Sequence, residues 1–403
     1  MGTNSPALVA TPSAVPSATT VPEAPCTPVT TGEGAIGFEP LALTFVSSLD
    51  GWVLGTSSSN PGSCVSLYRT TDGGASWSPT PAPPAFYPPL GCSIDPSTPC
   101  VDRVLFATTQ RGFAFAADWG DAYETTDGGE VWNELSVTDV SAMALMGDVA
   151  LRLQATPGGC TSGACQLERS TDGGMTWSST GQPLLTPEGR EGDVLLPGNA
   201  YAYAIGFGNP AGGGPETADF YRSSDLGATW VHAADPCSAT SSPRGPLTIS
   251  TAAASAEGGV LAVVCLPDRN AAEEFVMVSS DGGISFGPSY PAPTGDPDLA
   301  ARSARVQTAA MVEGGEVQVP SDSLFAAGSA SVLAIATSDG LSVSHNGGLT
   351  WSATYSCPLD GSGHGGISFV GFESASAAHL ICGSAVARSS DGGLTWTTYT
   401  FPG

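Results

Sequence analysis

The sequence predicts an all-β protein, a seven-bladed β-propeller with one short turn motif in each blade and several disulfide bonds. Three observations predict this fold. One eight-residue pattern recurs seven times along the chain, and short apolar runs precede each copy. Glycine and proline are also abundant, with 52 Gly and 33 Pro among 403 residues. Such a composition favours many short strands joined by tight turns over long helices.

The repeat is the strongest of these observations. Its first copy reads TTDGGASW and its last reads SSDGGLTW, and we call the copies the box turns: residues 70–77, 125–132, 170–177, 223–230, 279–286, 344–351 and 389–396. Their third residues lie 45 to 65 positions apart, which fits one four-stranded blade for each copy. These third residues are Asp72, Asp127, Asp172, Asp225, Asp281, Asn346 and Asp391.

Each box turn has a structural explanation. An Asp side chain can accept hydrogen bonds from the backbone N–H groups of the turn, and glycine tolerates a positive φ. The aromatic residue at the end opens the next strand and packs its ring beneath the turn. We therefore assign the repeated aspartates a structural role, although such an array of carboxylates could suggest catalysis.

Three short apolar runs precede each box turn and complete the predicted blade. They span 42–46, 51–55 and 65–70 in the first unit, 104–108, 112–116 and 122–125 in the second, and 367–370, 379–383 and 385–389 in the last. Runs this short, separated by Gly, Pro and Ser, are typical of strands. A fourth strand is expected to begin at the aromatic residue of the box turn. The units would stack around an axis and bury their faces against each other.

The box turns resemble the Asp-box, or BNR-repeat, motif S-x-D-x-G-x-T-W of sialidases, sortilin-type receptors and some xyloglucan-cleaving enzymes. The segment SSLDGWVLG at 47–55 is similar to the propellers of photosystem II assembly factors. The resemblance covers about residues 40–400 and implies the propeller fold. It implies little about function, because box turns are peripheral to the sites of such proteins.

The predicted propeller occupies residues 31–403, and residues 1–30 differ in composition. This first segment is rich in Pro, Ala, Ser and Thr and is predicted to be a disordered stalk. It lacks the features of a signal peptide, and no stretch reaches the roughly 20 apolar residues of a membrane span. We expect an exported protein, extracellular or at the cell surface, whose signal segment has been removed. A lipid anchor upstream of residue 1 and an ordinary flexible tail are the two alternatives for the stalk.

The charge balance excludes two classes of partner. The chain has 38 acidic residues and 12 basic ones, all of them Arg, for a net charge of −26. Nucleic-acid binding needs a basic surface, and an anionic membrane would repel this protein. Solubility in an extracellular or saline medium explains the acidity, with a cationic partner as the alternative.

The ten cysteines predict disulfides rather than metal sites. No CxxC pair occurs and the chain has four histidines, so neither a zinc site nor a cofactor is expected. The order of the cysteines relative to the repeat predicts five bridges, each worth about 2–4 kcal/mol. They are Cys26–Cys64, Cys92–Cys100, Cys160–Cys165, Cys237–Cys265 and Cys357–Cys382.

A search for catalytic residues identifies none. The Phe-Arg-Ile-Pro segment of sialidases is absent, and no arginine triad is evident. Four arginines share one position, three residues before a box-turn Asp, which indicates a structural role: Arg69, Arg169, Arg222 and Arg388. Other acids could form the carboxylate pair of a different glycoside hydrolase, although solvated surface charge explains them as well. They are Asp118, Asp121, Glu188, Glu191, Asp193, Asp360 and Glu373.

Two loops are candidates for partner binding. The first, residues 79–100, is rich in proline and carries Phe86 and Tyr87. The predicted Cys92–Cys100 bridge would stiffen it and lower the entropy lost on binding. The second, residues 116–123, carries Asp118 and Trp119, and this Trp has no place in the repeat.

The sequence therefore predicts a non-catalytic propeller that binds a protein or glycan partner in a scaffold, adhesion or assembly role. Its contact residues would be Phe86, Tyr87, Asp118 and Trp119. The alternative is an Asp-box glycoside hydrolase that cleaves an extracellular poly- or oligosaccharide with a pair of loop carboxylates.

Overall fold

The computed structural model describes residues 26, 37–57, 64–87, 92, 99–116, 121–135, 140–155, 165–184, 192–197, 200–206, 218–239, 241–242, 245–255, 259–266, 275–293, 325–337, 340–357 and 366–401. This part of the chain forms seven four-stranded antiparallel sheets and one two-stranded hairpin. Every four-stranded sheet consists of consecutive strands that pair in chain order. The prediction of an all-β, seven-bladed propeller is confirmed.

The blades are numbered in chain order. Blade 1 consists of Phe38–Phe45, Gly51–Ser57, Val65–Thr70 and Ser78–Thr80, and blade 2 of Arg103–Phe106, Gly112–Phe115, Ala122–Thr125 and Asn133–Glu134. Blade 3 consists of Val140–Met146, Val149–Ala155, Cys165–Ser170 and Ser178–Leu184, and blade 4 of Gly192–Leu195, Ala202–Gly206, Asp219–Ser223 and Val231–Ala233. A 3-10 turn, Pro236–Ala239, and a hairpin of Ser241–Ser242 with Gly245–Pro246 precede blade 5. Blades 5 to 7 consist of Thr248–Ala254, Leu261–Leu266, Phe275–Ser279 and Tyr290–Pro291; Phe325–Ala327, Leu333–Thr337, Gly340–Ser344 and Ser352–Ser356; and Ile367–Phe372, Ala378–Cys382, Ala385–Ser389 and Thr397–Thr400.

The fourth strand begins later than predicted. In blade 1 it starts at Ser78, which pairs with Arg69, rather than at Trp77. Trp77 is buried and belongs to the apolar cluster between blades. Its ring is therefore turned beneath the box turn, and ladder pairing starts only at the residue that follows.

The first strands line the central channel. Neighbouring blades contact each other through these strands, whose inner edges have no partner strand among the described residues. Because the strands alternate in direction, each blade has two distinct ends. We call the end with the blade-to-blade connections and the second-to-third-strand loops the loop face. The other end, with the first-to-second-strand turns and the box turns, is the box face.

Neighbouring blades interlock through aromatic side chains. Trp52 of blade 1 stacks on Phe106 of blade 2, with ring centroids 3.7 Å apart. It also donates its indole N–H to the carbonyl of Gly128 in the box turn of blade 2, over 3.1 Å. Phe113 and Tyr203 lie beneath the next box turn in the same way. Burial of such large side chains stabilises the stack by about 1.5–3 kcal/mol for each residue.

The ring closes between blades 7 and 1 without a shared strand, since both of their sheets are built from consecutive strands. Phe401, which follows the last strand, packs on Phe38, with ring centroids 4.6 Å apart. Arg388 of blade 7 donates to the carbonyls of Asp72 and Gly73 in the box turn of blade 1, over 3.0 and 3.1 Å. The contact between the last and first blades is therefore made by side chains, whereas the strands inside each blade are joined by backbone pairing.

Disulfides join segments that the repeat alone would not connect. Four bridges are formed by described residues, between the same cysteines that the sequence order paired: Cys26–Cys64, Cys92–Cys100, Cys237–Cys265 and Cys357–Cys382. Cys165 is also disulfide-bonded, whereas Cys160 lies outside the described residues. Bridges of this number indicate an oxidising compartment rather than the cytoplasm.

Two further expectations concern the stalk and the membrane. Of the predicted stalk, the structure describes only Cys26. Among the described residues, no helix has the length and apolarity that a membrane crossing requires.

Candidate functional site

The box turns share one internal hydrogen-bond pattern. In blade 3, the Ser170 hydroxyl oxygen accepts the N–H of Gly174 over 2.8 Å, and Asp172 Oδ1 accepts the N–H of Thr176 over 2.9 Å. The Thr176 hydroxyl donates to Asp172 Oδ2 over 2.6 Å. Both carboxylate oxygens are therefore occupied inside the turn, which fits a structural role.

These hydrogen bonds also keep the box-turn carboxylates ionised. Bonds from the side chain and backbone of Ser76 lower the pKa of Asp72 to about 2, and Ser285 and Thr395 do the same for Asp281 and Asp391. A carboxylate with so low a pKa is a poor proton donor near neutral pH.

Each box turn is anchored to the first-to-second-strand turn of its own blade. The N–H of Gly73 donates to the carbonyl of Leu49 over 2.9 Å, and the N–H of Gly392 donates to Ser376 over 2.8 Å. The same bond occurs in all seven blades, from Gly73, Gly128, Gly173, Leu226, Gly282, Gly347 and Gly392. The polar groups of the box face are therefore occupied by internal hydrogen bonds, and the loop face is the candidate location of a binding site.

Arginines at the position that the four repeats share also contribute to the interfaces between blades. Arg169 of blade 3 donates to the carbonyl of Leu226 in the box turn of blade 4 over 2.7 Å. Arg388 makes the equivalent contacts at the ring closure. Arg69 pairs with Asp50 at 3.4 Å. These arginines lie in separate interfaces and do not form a carboxylate clamp.

On the loop face, residues 85–87 are held between two disulfides, and we call them the clamped segment. Phe86 forms β-bridges with Cys64 on one side and Cys100 on the other. Its N–H donates to the carbonyl of Pro99 over 2.8 Å, and its carbonyl accepts the N–H of Val101 over 3.1 Å. Because Cys64 and Cys100 are themselves disulfide-bonded, the backbone of this segment is fixed from both sides.

Tyr87 brings the two predicted loops together. Its half-buried ring packs on a small cluster formed by Cys92, Cys100 and Ala116. Ala116 is the first residue of the second predicted loop. Two of the predicted contact residues, Asp118 and Trp119, lie outside the described residues.

Charged residues of blades 2 and 4 lie near the loop-face ends of first strands, at the mouth of the channel. Arg103 begins the first strand of blade 2, and Asp193 lies on the first strand of blade 4. Burial raises the pKa of Asp193 to about 7, against the opposing effects of a hydrogen bond from the Val194 backbone and of the Arg103 charge.

One carboxylate oxygen of Asp193 is left without a hydrogen-bond partner in the described part of the chain. The residue is 2% exposed, and the oxygen without a partner is Oδ2. The neighbouring carboxylate, Asp102, forms an ion pair with Arg103, with Oδ1 and Nε 3.7 Å apart. Asp193, predicted from the sequence to be a loop acid, lies instead in the first strand of blade 4.

Asp235 provides a contrast on the same face. It is also buried, and burial raises its pKa. Its carboxylate accepts the N–H of Cys237 over 2.8 Å, the N–H of Ala218 over 3.0 Å and the Thr248 hydroxyl over 3.1 Å. Asp235 is thus satisfied by the fold, whereas Asp193 is not.

Serines occupy three of the irregular positions in the first strands. Pairing skips one residue near the loop-face end of this strand in blades 1, 3, 5 and 7, namely Leu41, Ser141, Ser250 and Ser368. Such bulges redirect side chains. The hydroxyl oxygens of Ser250 and Ser368 are buried and have no hydrogen-bond partner within the described ranges. Sequence reasoning missed these serines; Ser368 stands between apolar residues, whereas Ser250 is followed by Thr251 and has no such signal.

The remaining predicted acids do not form a catalytic pair in the described part of the chain. Glu373 is buried on the box face against His379, with Oε1 and Nδ1 2.6 Å apart. Burial and the charge of Glu134 raise the pKa of Asp121. Four others lie outside the described residues: Asp118, Glu188, Glu191 and Asp360. Among the described residues, no group of three or more His, Cys, Asp or Glu could hold a metal ion.

No protein-family model matches the sequence, and a search of curated proteins finds no match. Solved structures do match. YCF48 from Cyanidioschyzon merolae is 14% identical over 91% of this chain and 98% of that chain, with a TM-score of 0.49. YCF48 bound to D1 peptide is 16% identical over 74% of this chain and 80% of that chain, with a TM-score of 0.46.

An ancestral GH74 enzyme is 14% identical over 92% of this chain, with a TM-score of 0.50, and this chain spans 47% of its length. What these proteins share with the chain is the propeller fold. At such identities the similarity does not extend to function.

Proposed function

We propose that this chain is an exported Asp-box propeller that binds a protein or glycan partner with its loop face and has no catalytic role. The observation that carries this proposal is the clamped segment, where two disulfides hold Phe86 and Tyr87 on the loop face. A surface that is rigid before binding loses less entropy when a partner docks.

Side-chain chemistry supports the same face. Tyrosine combines a large contact area with a polar tip and is enriched at the centres of interfaces. Tyr87 is half-buried and is supported from below by Cys92, Cys100 and Ala116. The box face offers less, because its turns use their backbone N–H groups and carboxylates internally.

Export is supported by the disulfides and the charge. Bridges of this kind persist in oxidising compartments. A net charge of −26 with 12 Arg keeps the protein soluble and away from nucleic acids and anionic membranes.

The test is binding of the intact, oxidised protein to a glycan array and a peptide array. We expect Tyr87→Ala to weaken the captured ligands about tenfold or more. The matched control is Tyr290→Ala, which alters a half-buried tyrosine on the outer strand of blade 5. Equal losses in both variants, or unchanged binding in Tyr87→Ala, would overturn the assignment of this surface.

A glycoside hydrolase is the second candidate, and one observation favours it. Asp193, with a pKa of about 7, and the carboxylate of Asp102 occupy the same channel mouth. A carboxyl group that is protonated near neutral pH can act as a general acid opposite an ionised carboxylate. Incubation with a broad panel of poly- and oligosaccharides, read by mass spectrometry, tests this alternative. Cleavage that is lost in Asp193→Asn and kept in Asp121→Asn would replace the binding proposal.

A further inference from the structure

We propose that the loop-face mouth of the central channel is a binding site for an ammonium group, presented by a lysine side chain of a protein partner. This inference deepens the proposed function and rests on it for the identity of the partner. It is carried by the unpartnered carboxylate of Asp193 and by the side chains around it.

The first argument is the unsatisfied polar group. A buried carboxylate oxygen without a hydrogen bond is costly, and native structures rarely contain one without a reason. Asp193 Oδ2 is such an atom, while Asp235 on the same face accepts three hydrogen bonds. The difference points to a donor that comes from outside the chain.

The second argument is the charge of the mouth. Arg103 is paired with Asp102, so the described residues of this mouth include two carboxylates and one cation. A carboxylate or phosphate ligand would meet an excess of negative charge there. A cationic group is favoured locally by Asp193, and at longer range by the net charge of −26.

The third argument is the donor and acceptor pattern. An ammonium group has three donors and no acceptor. Asp193 of blade 4 and Ser250 of the adjacent blade 5 each have a buried oxygen without a partner in the described residues. Both lie near the loop-face start of an innermost strand. The chain contains no lysine of its own that could fill this position.

The pH dependence of binding distinguishes a site for an ammonium group from a site for an anion or for a neutral sugar. Burial raises the pKa of Asp193 to about 7, with Arg103 opposing the rise. An ammonium ligand requires the ionised carboxylate, so its affinity should increase as the pH rises through 7. An anionic ligand would show the opposite dependence, and a neutral sugar would not require ionisation.

The experiment uses the full, oxidised chain and two blocked tripeptides, acetyl-Gly-Lys-Gly-amide and the same peptide with norleucine in place of lysine. Binding is followed by isothermal titration calorimetry between pH 6 and pH 8. We expect the lysine peptide to bind about tenfold more tightly at pH 8 than at pH 6, which is the increase in the ionised fraction of a group with a pKa near 7. The norleucine peptide, which keeps the alkyl chain, should not bind detectably.

Variants test whether the lysine peptide binds at Asp193. Asp193→Asn should weaken the lysine peptide about tenfold or more and remove the pH dependence, as expected for a lost hydrogen bond to a charged group. Asp148→Asn, which alters an exposed acid in the first-to-second-strand turn of blade 3 on the box face, is the matched control and should leave both unchanged. Ser250→Ala, which removes only a hydroxyl, should weaken binding by a smaller factor and covers the case in which Asp193→Asn fails to fold.

Three results would overturn the proposal: equal binding of the norleucine peptide, tighter binding at lower pH, or binding of methyl glycosides in place of the lysine peptide. The Tyr87→Ala variant separates this proposal from the proposed function. If it loses array ligands but still binds the lysine peptide, both proposals stand. If array ligands bind independently of Tyr87 while the lysine peptide behaves as expected, the assignment of the clamped segment as the binding surface is wrong and the channel site stands.

Discussion

His379 in blade 7 lies 3.3 Å from the carbonyl oxygen of Gly73 in the box turn of blade 1, measured from Nε2. Its other ring nitrogen is 2.6 Å from Glu373 Oε1, and its ring stacks on Phe45 with centroids 3.8 Å apart. All of these groups are buried. One side chain therefore connects the last blade to the first.

A different residue at the equivalent position joins blades 1 and 2. Trp52 and His379 hold the same position, second in the second strand and opposite the arginine that precedes the box turn. Trp52 stacks on Phe106 as His379 stacks on Phe45. Histidine at the closure adds a polar contact to Glu373 that tryptophan could not make.

His379→Ala should lower the free energy of unfolding by about 2–4 kcal/mol, because it removes a buried ring and leaves a buried carboxylate unpaired. Chemical denaturation followed by tryptophan fluorescence measures the change. His232→Ala, which alters an exposed histidine, is the control and should have little effect. A loss confined to His232→Ala would contradict this role for the closure.

The raised pKa of Asp193 predicts a pH dependence of stability in the absence of ligand. Between its ordinary value of 3.8 and about 7, the folded state holds a proton that the unfolded state releases. Stability contributed by this group therefore falls as the pH rises through that window, by at most about 1.4 kcal/mol for each pH unit. The free energy of unfolding, measured from pH 4 to pH 8, should show a shallower decline in Asp193→Asn than in the wild type. Identical curves would show that Asp193 titrates normally.

Box-turn aspartates should act in the opposite direction. Their pKa values are lowered by hydrogen bonds within the turn, so the stability that they contribute is present above pH 3.8 and is lost as the pH falls toward 2. Asn346 shows that an amide also fits, since its Nδ2 donates to Thr350 over 2.8 Å. We expect Asp391→Ala to cost about 1–2 kcal/mol at neutral pH and Asp391→Asn to cost less. Thermal melts at pH 3 and pH 7 compare the two variants, and equal losses would contradict the hydrogen-bond explanation.

The disulfide at the clamped segment should matter more for binding than for stability. Removing Cys92–Cys100 with two Ser substitutions opens a short loop and should cost about 2–3 kcal/mol. It also removes the support beneath Tyr87, so affinity for array ligands should fall. The same replacement at Cys237–Cys265, a bridge within blade 5 and its entry, is the control. It should lower stability by a similar amount and leave affinity unchanged; the reverse pattern would contradict the role of the clamp.

Much of the fold follows from the sequence because the box turn is a local structure. Its hydrogen bonds, such as those from Ser170 to Gly174 and from Asp172 to Thr176, close within eight residues, so the motif specifies a hairpin wherever it occurs. Counting the copies therefore predicts the number of blades. The cysteine order relative to these copies also predicted bridges such as Cys357–Cys382. The start of the fourth strand of blade 1 was misplaced, because the ring of Trp77 is used for packing before pairing begins.

What the tertiary structure alone decided is the channel mouth. Arg103 and Asp193 belong to different blades, and nothing in their local patterns indicates that they interact. Both lie near one end of the channel because the closed ring turns the innermost strand of every blade toward one axis. The packing of Tyr87 on Ala116 likewise brings together two loops that are separate in the sequence. A repeat encodes each blade through contacts between near neighbours in the chain, whereas a site on the axis is formed by residues that come together only when the ring is complete.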